Sequence, residues 1–278
     1  MTTDRRETYE RFKALHERPG IFTIPNPWNA GTARVLSGLG FEALATTSAG
    51  YALSVGRRDS FGALTRDEVL ANAREIVEAT DLPVSADLEE GFGPRPEDCA
   101  ETIRRAAEVG LVGGSIEDAT GDPADPIFPF GHAVERIEAA SEAAKDLPFL
   151  LTARAESFLY GRPDLDDTIA RLQAFSKAGA HVLYAPGLPD LESIRAICQA
   201  VDKPVNVVMG LNLSRYTLED LEGAGVKRVS VGGAFARAAL GAFLSAAREV
   251  RERGSFTFAE AAVPDADVGA FMSQRKRP

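Results

Sequence analysis

The chain has 278 residues, 45% hydrophobic and 26% charged, with a formal net charge of −10 at pH 7. That is an ordinary globular mixture, long enough to bury a core without staples. The acidic balance argues against a nucleic-acid partner, which needs a basic face, but a local cation or arginine can still attract a small anion.

In chain order, residues 1–19 read as a helix. They contain no apolar signal core, and no later run approaches the roughly 20 apolar residues of a membrane span. Short apolar segments then recur at 21–26, 43–48, 84–87, 113–118, 149–154, 181–186, 204–209 and 227–233. Continuous apolar runs of this length suit strands buried on both faces of a parallel sheet. Amphipathic helical patterns lie between them, for example at 29–40, 65–80, 95–110, 165–179 and 217–225. Several open near a Thr or Asp cap and close on Gly.

Eight such βα units predict a (β/α)8 barrel of the TIM type in a single domain, 1–278, with the 1–19 helix covering the barrel bottom. A doubly wound open sheet is the weaker fit, because no G-x-G-x-x-G follows the first strand. A long helix at 234–254 and a helical tail at 257–274 exceed what a barrel needs. Cys99 and Cys198 lie in helical patterns without metal-ligand spacing, so a reduced, cytoplasmic protein is expected.

Barrel enzymes carry their chemistry at the C-terminal ends of the strands. Those ends hold Asn26, Trp28 and Asn29; Thr46, Thr47 and Ser48; Asp87 and Glu89; Glu117 and Asp118; Arg154 and Glu156; and, on the seventh strand, Asn206. Oxygen donors dominate, which suits a hard cation such as Mg²⁺ with one or two carboxylates and several waters. Arg154 suits a bidentate pair with a carboxylate of the protein or of a ligand. No lysine ends a predicted strand, which speaks against a Schiff-base aldolase.

PNPWNAGTARVL, ATTSAGYALSVGRRDS, SADLEEGFG, SIED and TARAES, taken together and in order, resemble the isocitrate lyase/phosphoenolpyruvate mutase superfamily over residues 10 to 250. The resemblance implies a (β/α)8 barrel whose last helix is swapped with a neighbouring subunit, so 234–278 would pack on a partner in a homotetramer or dimer. It implies Mg²⁺, or Mn²⁺ in its place, and a 2-oxo or 2-hydroxy carboxylic acid as the small-molecule partner. Carried over by position, Asp87, Glu89 and Glu117 become the metal carboxylates. Asp59 becomes an outer acid, and with Glu117 and Arg154 a catalytic residue. Thr46, Thr47, Ser48, Trp28, Asn29, Arg154 and Asn206 become the substrate-binding set.

The lyases' Lys-x-Cys-Gly-His loop is absent. SIED is followed instead by residues 119–132, ATGDPADPIFPFGH, which read as a lid that carries His132. The leading expectation is therefore a Mg²⁺-dependent lyase working through an enolate-like intermediate, such as an oxaloacetate-type decarboxylase or a C–C lyase. Two alternatives stand beside it. One is a 2-oxo acid binder without turnover. The other is a phospho-sugar isomerase or synthase whose Gly-bearing loops at 210–214 and 231–235 would hold phosphate.

Overall fold

The computed structural model describes residues 5–210 and 215–273. Eight strands follow one another: β1 (Phe22–Ile24), β2 (Leu44–Ala45), β3 (Val84–Asp87), β4 (Gly113–Glu117), β5 (Leu150–Arg154), β6 (Val182–Tyr184), β7 (Val205–Val208) and β8 (Arg228–Ser230). All pairings are parallel, and β1 pairs with β8. Between β1 and β2 the circle closes through Ala45 N–H to the Pro25 carbonyl at 3.0 Å and the Asn26 side-chain amide to the Thr46 carbonyl at 2.9 Å. The predicted (β/α)8 barrel is the fold.

The helices are α1 (Arg5–Glu17), α2 (Ala30–Gly38), α3 (Ser48–Ser54), α4 (Arg66–Ala79), α5 (Pro96–Glu108), α6 (Phe130–Ala144), α7 (Leu165–Lys177), α8 (Leu191–Ala200), α9 (Leu218–Gly223), α10 (Ala234–Arg253) and α11 (Asp265–Met272). Capping boxes start α2, α4 and α9, with Asn29, Thr65 and Thr217 accepting from their own first turns. The main core lies between the strands and the ring of helices. A second cluster joins Phe12 and Leu15 of α1 to Phe22, Ile24, Ala43, Val112 and Leu150, so α1 plugs the bottom of the barrel.

The C-terminal region differs from the single helical tail expected. After α10 come a 3-10 turn over Thr257–Ala261 and then α11, separated by Pro264, which cannot continue a helix. Buried Glu249 caps that turn, accepting from Thr257 N–H at 2.5 Å and Phe258 N–H at 3.2 Å. Arg34 of α2 bonds the Met272 carbonyl, so α11 lies against α2. Most of α10 stands clear of the barrel, with Phe243 67% exposed. Among the described residues no helix is long and apolar enough to cross a membrane.

Candidate active site

Strand β3 delivers Asp87 to the top of the barrel, and the chain then turns sharply. Leu88 folds into the core, while Glu89 takes a φ of 50° and Phe92 one of 61°. Both are left-handed conformations that cost a non-glycine residue energy and persist only where surroundings over-determine them. They are over-determined here. Buried Arg136 of α6 bonds the Glu90 and Gly93 carbonyls, Arg66 of α4 bonds the Gly91 carbonyl at 3.3 Å, and Thr102 bonds the same carbonyl at 2.7 Å. Glu117 N–H holds the Glu89 carbonyl at 3.0 Å. The clamp turns the Glu89 carboxyl toward the cavity.

That cavity has a volume of about 330 Å³ and is lined by Asp59, Asp87, Glu89, Glu117, Arg154 and Glu156, among others. One guanidinium faces three carboxylates. Arg154 Nη1 lies 2.8 Å from Asp87, Nη2 3.1 Å from Glu117 and Nε 2.8 Å from Glu156. The Tyr184 ring lies under the guanidinium, 4.9 Å from it. Burial pushes the Glu89 carboxyl up to about 8, and Asp87, Glu90 and Asp59 push it further the same way. Burial also raises Glu117 and Glu156 above the usual carboxylate range, against the pull of Arg154. Asp59, at the mouth, is raised by lost solvent and by Asp87.

Of the expected substrate-binding set, Thr46, Thr47, Ser48, Arg154 and Asn206 line the cavity. Much of their hydrogen-bonding capacity is engaged within the protein, and Arg154 keeps one N–H on each terminal nitrogen. Ser48 Oγ and N–H donate to Asp87 Oδ2 at 2.8 and 3.3 Å, and Thr46 Oγ accepts the Asp87 N–H at 3.1 Å. Thr47 caps α3. Trp28 and Asn29 do not line the cavity. The Asn29 side chain caps α2, and the Trp28 carbonyl accepts from Asn72 on α4 at 3.0 Å. Both follow β1 where the chain turns into α2.

The 119–132 segment is not a free lid. A bridge joins Ala119 to Ile127, and Phe128 is buried beneath Arg136. Arg171 of α7 grips both Asp118 Oδ2 at 3.1 Å and the Phe128 carbonyl at 2.9 Å. His132 lies in the first turn of α6, outside the cavity, with Nε2 2.7 Å from the Pro94 carbonyl. Two of the amides that the phosphate alternative would use are engaged within the protein. Val231 and Gly232 N–H are taken by Asn26 Oδ1 at 2.8 and 2.9 Å, and residues 211–214 lie outside the described residues. Sequence reasoning passed over Tyr160 and Arg228, which both line the cavity. Tyr160 follows β5 in an irregular segment, and Arg228 starts a strand, so neither carried a positional signal.

Among the described residues, no three His, Cys, Asp or Glu side chains converge as a complete cage for a metal. The donors nevertheless fit a divalent cation that keeps most of its waters. Asp87, Glu89, Glu117 and Glu156 gather around a single arginine, and Glu156 Oε2 is buried with no hydrogen-bond partner. Clustered buried carboxylates are expensive unless a cation or protons balance them.

The phosphoenolpyruvate phosphomutase family pattern matches residues 12–251. The 2-methylisocitrate lyase of Escherichia coli is 30% identical over 77% of this chain and 75% of its own. A Burkholderia cenocepacia crystal structure, described only as a lyase/mutase, is 58% identical, covers 99% of both chains and superposes with a TM-score of 0.95. A structure of phosphonopyruvate hydrolase with oxalate and Mg²⁺ shares the fold, with a TM-score of 0.85 at 21% identity over 95% of this chain and 94% of that one. The chain belongs to the phosphoenolpyruvate phosphomutase family, within the isocitrate lyase/phosphoenolpyruvate mutase superfamily.

Proposed function

We propose that this family member is a divalent-cation-dependent lyase of a small 2-oxo or 2-hydroxy acid, cleaving a C–C bond, by decarboxylation or retro-aldol-type scission, through an enolate-like intermediate. The observation that carries this reading is the gathering of Asp87, Glu117 and Glu156 around Arg154 beside Glu89. The relatives' names support it: 2-methylisocitrate lyase acts on a hydroxy acid, and phosphonopyruvate hydrolase holds oxalate with Mg²⁺.

Asp87, Glu89 and Glu117 would hold Mg²⁺, or Mn²⁺ in its place. When bound, the cation supplies positive charge where the substrate's oxygens become negative. Arg154, beside Asp87 and Glu117 and fixed by its three carboxylates, orients the acid head. The proton that ends the reaction, delivered to carbon, needs a group that stays protonated at neutral pH. Burial and the neighbouring Glu117 and Glu156 raise the Tyr160 phenol, which lines the mouth. Asp59, also raised, is the second group on that side and suits the accepting role.

The same reading includes association of copies through α10, whose exposed Leu240, Phe243 and Leu244 need cover. The test is an assay of oxaloacetate and of 2-hydroxy diacids with Mg²⁺. Release of CO₂ or of a cleaved acid, lost in Asp87→Ala, supports the lyase. Tight cation-dependent binding with every ligand recovered intact favours the binder that lacks turnover.

A further inference from the structure

Barrel lumens are ordinarily filled by bulky branched side chains. Below the carboxylates this lumen is lined by Ser85, Ser115, Asn206 and Ser230 beside Ile24 and Val208, and the cavity they line extends to Arg228. Arg228 opens β8, in register with Asn206, and its side chain crosses the lumen to β5. Nε donates to Asn206 Oδ1 at 2.8 Å, Nη2 to Thr152 Oγ1 at 3.0 Å, and Nη1 lies 3.3 Å from His16 Nε2. His16 Nδ1 lies 2.8 Å from the Phe12 carbonyl, which fixes its proton there and leaves Nε2 as an acceptor.

Every one of these partners is neutral. Among the described residues no carboxylate pairs with Arg228, and the charged form is opposed by burial. A buried cation without an anion is costly, and a well-placed anion relieves that cost. A guanidinium has five N–H donors, so one N–H on each terminal nitrogen is left after the three bonds above. Arg228 is 5% exposed, and the cavity is where it is reached.

We propose that the floor of the cavity is an anion subsite, where Arg228 takes the distal carboxylate of a dicarboxylate substrate whose 2-oxo or 2-hydroxy head lies at the rim with Asp87 and Arg154. The inference rests on the rim reading above and narrows its substrate class to diacids. Arg154 is committed to three protein carboxylates, whereas Arg228 is committed to none. A second carboxylate left at the rim would face Asp87, Glu89 and Glu117; at the floor it meets a cation and serine hydroxyls. Thr152, which Arg228 touches, stands two residues before Arg154 on β5, so the guanidinium lies roughly 7 Å below the Arg154 backbone. A four- or five-carbon diacid reaches across that separation, and oxalate does not.

The test uses three probes with Mg²⁺ present: oxalate, 2-oxoglutarate and 2-oxopentanoate, the last two differing only in the distal carboxylate. Wild-type protein is expected to bind 2-oxoglutarate at least about tenfold more tightly than 2-oxopentanoate. In Arg228→Gln that preference should vanish while oxalate affinity stays within about threefold. Arg228→Lys, which keeps a cation at the floor, should retain part of the preference. Equal wild-type affinity for the two 2-oxo acids, with oxalate bound, overturns the subsite alone. So does a preference that survives Arg228→Gln, or loss of all three ligands in a folded Arg228→Gln. If that variant does not fold, the wild-type comparison and Arg228→Lys decide. Failure of oxalate to bind wild-type protein sinks the rim reading, and this inference with it.

Discussion

The Arg154 guanidinium meets Asp87 Oδ1 at 2.8 Å, across 67 positions of sequence. The same arginine holds Glu117 and Glu156, so one buried cation offsets part of a much larger negative charge. Removing it while keeping the acids should be costly. Arg154→Met is expected to lose about 3–5 kcal/mol of stability without divalent cation. Added Mg²⁺ should restore part of that loss, because a second cation then neutralises the same carboxylates. Urea midpoints with and without Mg²⁺ check this. An Arg154→Met protein as stable as wild type in EDTA would mean that the carboxylates are already neutral.

Tyr160 lines the mouth of the cavity with its phenol kept protonated. Tyr160→Phe should lower kcat about 100-fold, the usual scale of general acid catalysis, with little change in KM. Cation affinity, read by calorimetry, should not move. Unchanged kcat would pass the role to Asp59, whose Asn variant is the next measurement.

His16 is buried beneath Arg228, and burial first, then Arg228, lowers its pKa from 6.5 to about 3. The folded protein keeps it neutral, while the unfolded chain binds a proton below its ordinary value. A lowered value therefore contributes stability above about pH 6.5 that is lost as pH falls toward 3. By pH 5 the loss amounts to about 2 kcal/mol. The raised carboxyls of Glu89 and Asp118 act in the opposite sense, so the comparison with His16→Gln isolates the histidine. Wild type should lose more stability than the variant between pH 7 and 5. Parallel pH profiles would contradict the buried neutral imidazole.

Most of α10 is exposed, and Phe243 is its most exposed large apolar side chain at 67%. A helix in that state calls for a partner, and a second copy is the one we expect. Light scattering after gel filtration should give more than one copy per particle for wild type. Phe243→Glu should give smaller particles with an unchanged far-ultraviolet spectrum. A monomeric wild type would leave α10 without its expected cover.

Much of this arrangement is legible in the residues alone. Eight buried apolar runs separated by amphipathic stretches specify a closed parallel barrel, and acids that end such runs stand out against the cost of burying them. Asp87 and Glu117 stand out in that way, as does the cation of Arg154, and the three meet. What is not legible depends on turns and register. Trp28 and Asn29 sit at a strand end, yet the Asn-Ala-Gly-Thr cap has already committed Asn29 to α2. The proline-rich 119–132 segment reads as a lid because nothing local reveals that Arg136 and Arg171 pin it. Arg228 looks like a charged residue at the start of a strand. Only the register with Asn206, and α1 closing the barrel beneath it, turn that arginine into the lumen.

The most direct test of the cation-dependent site is calorimetry of oxalate binding to wild-type protein and Asp87→Ala, each in Mg²⁺ and in EDTA. The site predicts binding to wild type in Mg²⁺, at least about 100-fold weaker binding in EDTA, and none to Asp87→Ala in either condition. Equal oxalate affinity in Mg²⁺ and EDTA would contradict the cation site and the lyase chemistry built on it.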